Sequence, residues 1–234
     1  MLNVSQDGLT GNKELEPLPE FVTNKLDLLR SYTVHSQTVI AAICRALALQ
    51  LSLPEDAFSS LHDPTKLSGT TIRVVRSYAC PEVEEQRTSM IHHTDFGSIT
   101  LLANLIGGLQ VLLPGKDPLD DSAWRWVRPQ SGHLIVNLGD VMVEWSAGAL
   151  RSNVHRIRHQ PGEQKRLDRY SVAVLARPQM DASMKRLIGP PSDDDIDMTA
   201  LQYEQYKFKL ITEGKWVMES HGGKHGKLVK QTAN

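Results

Sequence analysis

The sequence is poor in cysteine, in aromatic residues and in long apolar runs. Its 234 residues include only two cysteines, Cys44 and Cys80, and aromatic residues make up 6%. Two cysteines in a chain of this length argue against a disulfide framework and favour a reducing compartment. No apolar run reaches the roughly 18 residues that a membrane-spanning helix needs. The N-terminus has no basic segment followed by an apolar one, so a cytoplasmic protein without a secretory signal is predicted.

The chain also lacks an excess of charge of either sign. Its formal net charge is -1, which gives no indication of a nucleic-acid or anionic-membrane partner. Hydrophobic residues make up 40% and charged residues 23%, as in ordinary globular proteins. This length and composition predict one large domain with a substantial core.

Helical periodicity is present at both ends of the chain. Residues 1–19 are polar and rich in turn-forming residues, and they are predicted to form an irregular lead-in. From Glu20 to about Leu53, apolar residues recur at three- and four-residue steps, which predicts a helical layer that ends before Pro54. A second helix is predicted from Thr199 to Ile211.

The middle of the chain has the pattern of an all-β domain. Turn signals every 8–15 residues separate about eight short segments of strand character. These segments are residues 71–78, 98–105, 109–113, 124–127, 133–138, 141–145, 154–159 and 170–176. Such spacing indicates a β-sandwich or barrel, because a parallel α/β fold would place helices between the strands.

A candidate metal site lies at the start of one of these segments. His93 and Asp95 are two residues apart and precede an apolar, β-prone run. If a strand begins there, the two side chains share one of its faces. His155 follows 62 residues after His93 on a later predicted strand. Two histidines and one carboxylate are the ligands of the facial triad of non-haem Fe(II) oxygenases, which leaves three coordination positions open.

A candidate anion site follows on the next predicted strand. Arg169 and Ser171 are two residues apart and therefore share a strand face. A guanidinium group and a hydroxyl group together match the free carboxylate of a dicarboxylic acid. Asn137 and Asp140, by contrast, are interpreted as residues that shape the turn after a strand. For Asn137 the alternative is a role in lining the pocket.

Five segments of the chain resemble the 2-oxoglutarate/Fe(II)-dependent dioxygenases of the isopenicillin N synthase-like superfamily. They are His-Thr-Asp-Phe-Gly-Ser-Ile-Thr-Leu-Leu (93–102), Gly-Gly-Leu-Gln-Val (107–111), Val-Asn-Leu-Gly-Asp (136–140), Ser-Asn-Val-His-Arg-Ile (152–157) and Arg-Tyr-Ser-Val (169–172). The lead-in resembles fungal members from secondary-metabolite pathways. The resemblance implies a double-stranded β-helix, or jelly roll, with an N-terminal helical layer and a C-terminal helix.

The resemblance also implies an activity and its residues. His93, Asp95 and His155 would bind Fe(II), and Arg169 and Ser171 would hold the distal carboxylate of 2-oxoglutarate. Members of this family use O2 to decarboxylate 2-oxoglutarate to succinate while they oxidise a small organic substrate. The family usually has a tyrosine four residues after an arginine in the first core strand. Tyr78 lies five residues after Arg73, so its expected contact with the co-substrate requires a β-bulge.

The chain is shorter than typical members, which have roughly a hundred more residues before the helical segment. The expected division is a lead-in and helical segment (1–69), a jelly-roll core (70–178) and a C-terminal loop, helix and tail (179–234), in a protein that acts as a monomer. Two alternatives to a 2-oxoglutarate-dependent oxygenase stay open from the sequence. One is an oxidase that keeps the triad without using 2-oxoglutarate, and the other is a truncated metal-binding β domain without activity.

Overall fold

The computed structural model describes residues 1–79, 88–160 and 162–215 of the chain. Cys80 and the predicted tail beyond residue 215 lie outside this range. The described part has nine strands: β1 (Leu2–Ser5), β2 (Thr71–Ser77), β3 (Thr88–His93), β4 (Ile99–Asn104), β5 (Leu109–Leu112), β6 (Trp124–Trp126), β7 (Ile135–Leu138), β8 (His155–Arg158) and β9 (Arg169–Ala176). Its α-helices are α1 (Gln6–Thr10), α2 (Glu20–Thr23), α3 (Leu26–Gln50), α4 (Asp140–Trp145) and α5 (Ala200–Thr212). Short 3-10 helices cover Ser59–Leu61, Asp121–Ala123 and Gly162–Arg166.

The strands form two sheets in which the described pairs are antiparallel. The larger sheet has the order β1-β2-β9-β4-β7 and the smaller one the order β3-β8-β5-β6. One pocket is lined by side chains of both sheets, so the sheets face each other. This is the jelly roll with flanking helices that the sequence predicted.

Helix α3 covers the outer face of the larger sheet. Its 25 residues contain neither glycine nor proline, and its buried residues Ile40, Cys44 and Ala48 recur every four positions. They belong to one hydrophobic cluster with Ile72 and Val174, both fully buried on the sheet. Because strand side chains alternate between faces, this packing leaves the other face of the sheet for the pocket.

The lead-in is more ordered than the irregular segment expected from its polar sequence. Strand β1 pairs antiparallel with β2, and Val4 is fully buried. The Asp7 carboxylate, 1% exposed, accepts hydrogen bonds from the backbone N–H groups of Ser68 and Gly69. The prediction was wrong because a four-residue edge strand is too short to give a periodic pattern, and its partners on β2 lie about 70 residues away in the sequence.

The strand predicted at residues 141–145 is also wrong, since this segment is helix α4. Its buried residues Val141, Met142 and Trp145 follow the spacing of one helical face. Asp140 stands at the first helical position, where a carboxylate interacts favourably with the backbone N–H groups. A short apolar run does not distinguish a strand from a buried helical turn by its pattern.

Strand β3 ends at His93, and Asp95 lies in the loop before β4. The expectation that the two residues open one strand was therefore wrong. They converge because the chain turns between the two sheets.

Within the described residues, no helix combines the length and hydropathy needed to cross a membrane.

Candidate metal and carboxylate site

His93, Asp95 and His155 meet at one end of the pocket between the sheets. The Nε2 atoms of His93 and His155 lie 3.8 Å and 3.9 Å from Asp95 Oδ1. One ligand atom from each of the three residues lies within 4.8 Å of the others. Strands β3 and β8 position the two histidines, which are direct partners in the sheet register. The structure thus brings together the three residues that the sequence singled out.

The two oxygens of Asp95 have different surroundings. Oδ2 accepts hydrogen bonds from Thr100 Oγ1 at 2.6 Å and from Asn137 Nδ2 at 2.8 Å, which leaves Oδ1 towards the histidines. Burial by itself would raise the pKa of Asp95. The nearby His155 and the two hydrogen bonds lower this pKa by more than burial raises it, so it lies below its usual value. The carboxylate is therefore ionised at neutral pH and presents one free oxygen.

A backbone contact fixes the orientation of the His155 ring. Its Nδ1 lies 3.0 Å from the carbonyl oxygen of Asn153, which can only accept a hydrogen bond. Nδ1 therefore carries a proton, and Nε2 is directed towards Asp95. Such a contact to the second ring nitrogen is the usual way in which proteins orient a metal-binding histidine.

The loop that carries Asp95 rests on the turn between β7 and α4. The backbone N–H of Asp140 donates to the Asp95 carbonyl at 2.7 Å, and that of Gly139 donates to the Ser98 carbonyl at 2.9 Å. A Cβ atom on Gly139 would lie 2.2 Å from the Gly97 carbonyl oxygen and 2.7 Å from that of Asp95. Only glycine therefore permits this close approach of the two segments.

The donor set fits Fe(II). Imidazole and carboxylate ligands in a two-to-one ratio form the facial triad, and the ordered partners of Asp95 and His155 hold the donor atoms in place.

Arg169 and Ser171 lie on the same inner face, as predicted from their spacing. Arg169 is 3% exposed, its Nε donates to the Gly107 carbonyl at 3.0 Å, and its Nη1 donates to Ser171 Oγ at 3.3 Å. Its buried Nη2 has no hydrogen-bond partner among the described residues. Burial lowers the pKa of Arg169. A buried guanidinium with one unused donor suits an anionic ligand.

The pocket has a volume of about 310 Å³. Its polar groups are the three metal-site residues, Thr100, Asn137, Asn153, Arg73 and Arg169. The other lining residues are apolar: Leu102, Leu109, Val111, Val127, Ile135, Val136, Ile157 and Leu175. An apolar cavity with a few convergent polar groups is typical of a small-molecule site.

The structure corrects the expectation for Tyr78. The register between β2 and β9 runs without a bulge to Ser77, which pairs with Arg169. The next residue, Tyr78, therefore points away from the pocket; it is 68% exposed, and the Arg76 guanidinium lies 4.5 Å from its ring centre. A contact of Tyr78 with the co-substrate is not supported.

Sequence reasoning did not predict that Thr100 and Asn137 hold Asp95. Asn137 was interpreted mainly as a turn residue, and Thr100 lay in a predicted strand (98–105) without a role of its own. They are direct partners on β7 and β4 and both face the pocket. The sequence did contain a signal for their position. Each is a polar residue in an otherwise apolar strand, two residues from an apolar residue that faces the pocket.

Comparison with known protein sequences shows a family match and two informative relatives. The sequence model of the 2OG-Fe(II) oxygenase superfamily matches residues 70–178. A 2-oxoglutarate-dependent dioxygenase of Aspergillus fumigatus is 31% identical over 213 residues, which cover 85% of this chain and 54% of that protein. Another, from Amanita muscaria, is 30% identical over 203 residues, which cover 84% of this chain and 90% of that protein. The chain thus spans about half the length of the first relative and nine tenths of the second.

Among solved structures, that of a full-length Neurospora crassa protein in complex with alpha-KG matches with a TM-score of 0.75. The match covers 89% of this chain and 64% of that one at 20% sequence identity. A likeness at this identity concerns the fold, which agrees with the two-sheet arrangement described above.

Proposed function

The chain belongs to the 2OG-Fe(II) oxygenase superfamily, and we propose that it couples the oxidative decarboxylation of 2-oxoglutarate to the oxidation of a small organic molecule. The observation that carries this proposal is the single pocket that joins the His93–Asp95–His155 cluster to the buried guanidinium of Arg169. The fungal relatives named for this activity support it, and we place the reaction in secondary metabolism on the same ground.

In the proposed reaction, O2 and 2-oxoglutarate are consumed, and succinate, CO2 and an oxidised substrate are formed. Fe(II), when bound, supplies the redox chemistry that joins the two oxidations. His93, Asp95 and His155 would hold it. Thr100 and Asn137 keep Asp95 oriented, with its second oxygen saturated and its first oxygen directed to the metal position.

Arg169 and Ser171 would bind the distal carboxylate of 2-oxoglutarate. The unused Nη2 of Arg169 and the Ser171 hydroxyl lie on one face of β9, and the burial of the guanidinium strengthens its attraction for an anion. Apolar side chains such as Leu102, Ile157 and Leu175 line the space between the two ends and exclude water from the reacting groups.

The unused donor of Arg169 also bears on the alternative of an oxidase that does not use 2-oxoglutarate. An unsatisfied buried donor costs about 1–3 kcal/mol, and a carboxylate ligand would remove this cost. This favours a 2-oxoglutarate-dependent enzyme. The division at residues 69/70 and 178/179, the monomeric state and the cytoplasmic location stay predictions.

The test is succinate release by the purified protein with Fe(II), 2-oxoglutarate and O2. We expect release to require all three and to stop on addition of EDTA. Asp95→Ala should abolish both release and Fe(II) binding. The control Asp27→Ala, at a fully exposed side chain on α3, should change neither.

A second variant separates the alternatives. Arg169→Gln is expected to raise the Kd for 2-oxoglutarate roughly ten- to hundredfold, in line with the loss of charge-assisted hydrogen bonds, while Fe(II) affinity is retained. Substrate oxidation that persists without 2-oxoglutarate would favour the oxidase. Absence of metal binding and of turnover in the wild type would favour the inactive β domain.

A further inference from the structure

We propose that Arg73 is the substrate-anchoring residue of the pocket and that it binds a carboxylate group of the substrate. This inference rests on the proposed function, since it assigns the substrate class of the same site. It starts from the position of Arg73, which lines the pocket together with the metal-site residues and Arg169.

The sheet register places Arg73 between the two ends of the pocket. Arg73 pairs with Ala173 of β9, which pairs with Leu102 of β4. The neighbouring inward-facing residue of β9 on one side is Ser171, at the proposed 2-oxoglutarate end. On the other side it is Leu175, whose partner Thr100 holds Asp95. A molecule held by Arg73 would therefore lie next to both the metal and the co-substrate.

The hydrogen bonds of Arg73 leave its terminal donors for a ligand. Nε donates to Asn3 Oδ1 at 2.9 Å, which orients the guanidinium from the edge strand β1. In residues 1–79, 88–160 and 162–215, no carboxylate forms an ion pair with Arg73. By contrast, Arg76 pairs with Asp168 and Arg177 with Glu204. The free end of a guanidinium presents two parallel N–H donors, the geometry that a carboxylate matches.

The charges in the pocket lead to the same conclusion. Among the described residues that line it, Asp95 is the only carboxylate, and Arg73 and Arg169 are the only cationic side chains. When bound, Fe(II) and the 2-oxoglutarate dianion would cancel each other's charge, and the negative charge of Asp95 would be cancelled by the positive charge of Arg169. The charge of Arg73 is left without a counterpart in a partly enclosed space, where electrostatic attraction is strong.

The remaining walls define the rest of the ligand. Leu102, Ile135 and Leu175 line the pocket with apolar surface, so the substrate combines one carboxylate with an apolar body. A phosphorylated or fully neutral substrate fits this arrangement less well, because one guanidinium balances one negative charge.

The experiment compares organic acids with their primary amides as matched neutral partners. A library of aromatic and aliphatic monocarboxylic acids and the corresponding amides is screened for stimulation of succinate release by the wild-type protein. Kinetic constants of the stimulating compounds are then measured for Arg73→Gln and Arg73→Lys. Arg30→Gln, at a half-exposed side chain on α3, serves as the control.

We expect stimulation by acids and not by their amides. Arg73→Gln should raise the KM for the acid roughly ten- to hundredfold, in line with the loss of a bidentate charge-assisted contact, and Arg73→Lys should lie between it and the wild type. The KM for 2-oxoglutarate should stay within about twofold in the Arg73 variants, because Arg169 is unchanged. Only the control Arg30→Gln is expected to leave every kinetic constant at its wild-type value.

Three results would overturn the proposal. The first is equal stimulation by acids and amides together with no effect of Arg73→Gln. The second is an Arg73→Gln protein in which the KM for 2-oxoglutarate increases and the KM for the acid does not. The third is a library in which no acid stimulates release. Failure of the proposed function itself is a separate result. In that case the wild type neither binds 2-oxoglutarate nor releases succinate, and EDTA has no effect.

Discussion

Replacing Lys207 with methionine is expected to lower the free energy of unfolding by about 3–5 kcal/mol. Lys207 Nζ on α5 lies 3.0 Å from Asp140 Oδ2, and both side chains are 0% exposed. Asp140 is also contacted by the Thr94 hydroxyl, and its backbone N–H donates to the Asp95 carbonyl. The ion pair therefore connects the C-terminal helix to the loop that carries the candidate metal ligand.

The magnitude follows from the burial of both charges. Methionine keeps the length of the side chain, so the variant removes the charge without opening a large cavity. It leaves the Asp140 carboxylate buried without its cation, which is the situation that costs several kcal/mol. Domains are stable by roughly 5–15 kcal/mol in total, so the loss is a large fraction. At about 2–4 °C per kcal/mol for a chain of this size, Tm should fall by roughly 6–20 °C.

Urea unfolding monitored by tryptophan fluorescence measures this loss. Lys209→Met is the control on the same helix, since Lys209 is 71% exposed and lies 4.0 Å from Glu213. It should change stability by at most about 0.5 kcal/mol. In Asp140→Asn/Lys207→Met neither member of the pair keeps a charge, so much of the loss should be recovered.

Two results would refute this reasoning. One is a Lys207→Met protein within about 1 kcal/mol of the wild type, which would mean that the pair contributes little or that water reaches Asp140. The other is a double variant that loses as much stability as the two single variants together, which would mean that the two side chains act independently.

Three further predictions concern the same region. Gly139→Ala should weaken Co(II) binding, measured by absorbance titration, and lower Tm, because its Cβ would lie 2.7 Å from the carbonyl oxygen of Asp95; unchanged affinity would contradict the close approach. Asn137→Ala should reduce Co(II) affinity about ten- to hundredfold with little change in Tm, since it removes a hydrogen bond that orients Asp95. Burial lowers the pKa of His62, whose Nε2 lies 2.7 Å from Ser98 Oγ, so the unfolded chain takes up a proton that the folded one resists. Stability should therefore be full above the ordinary histidine pKa of about 6.5 and should decrease below it, by at most about 1.4 kcal/mol between about pH 7.5 and 5.5. In urea titrations His62→Gln should show this decrease to a smaller extent, and an identical pH dependence in both proteins would contradict the assignment.

The sequence predicted the parts of the fold that repeat a local pattern. Strands β2 and β4–β9 are short β-prone runs bounded by turn residues, and helix α3 repeats its apolar residues every three or four positions, so these elements were predicted within a few residues. Strand β3 was not predicted. The three candidate metal ligands were found because their types and order match a known ligand set. These features need no knowledge of which distant segments meet.

What the sequence did not predict depends on contacts between distant segments. Residues 141–145 of helix α4 were taken for a strand because a run of five residues is too short to show a helical or a strand period. Asn137 and Thr100 are ordinary strand residues until the β4–β7 register brings both to Asp95. The Lys207–Asp140 pair joins residues 67 positions apart, and a lysine in an amphipathic helix gives no sign that it is buried.

The alternation along β4 and β9 has a consequence for protein engineering. Leu102 and Leu175 face the pocket, whereas their neighbours Leu101 and Val174 are fully buried beneath the helical layer. A combinatorial library restricted to the pocket-facing positions would vary the shape of the ligand space while leaving the hydrophobic core untouched. Because alternate residues of one sheet face the pocket and the core, ligand preference and stability depend on different residues and can change independently.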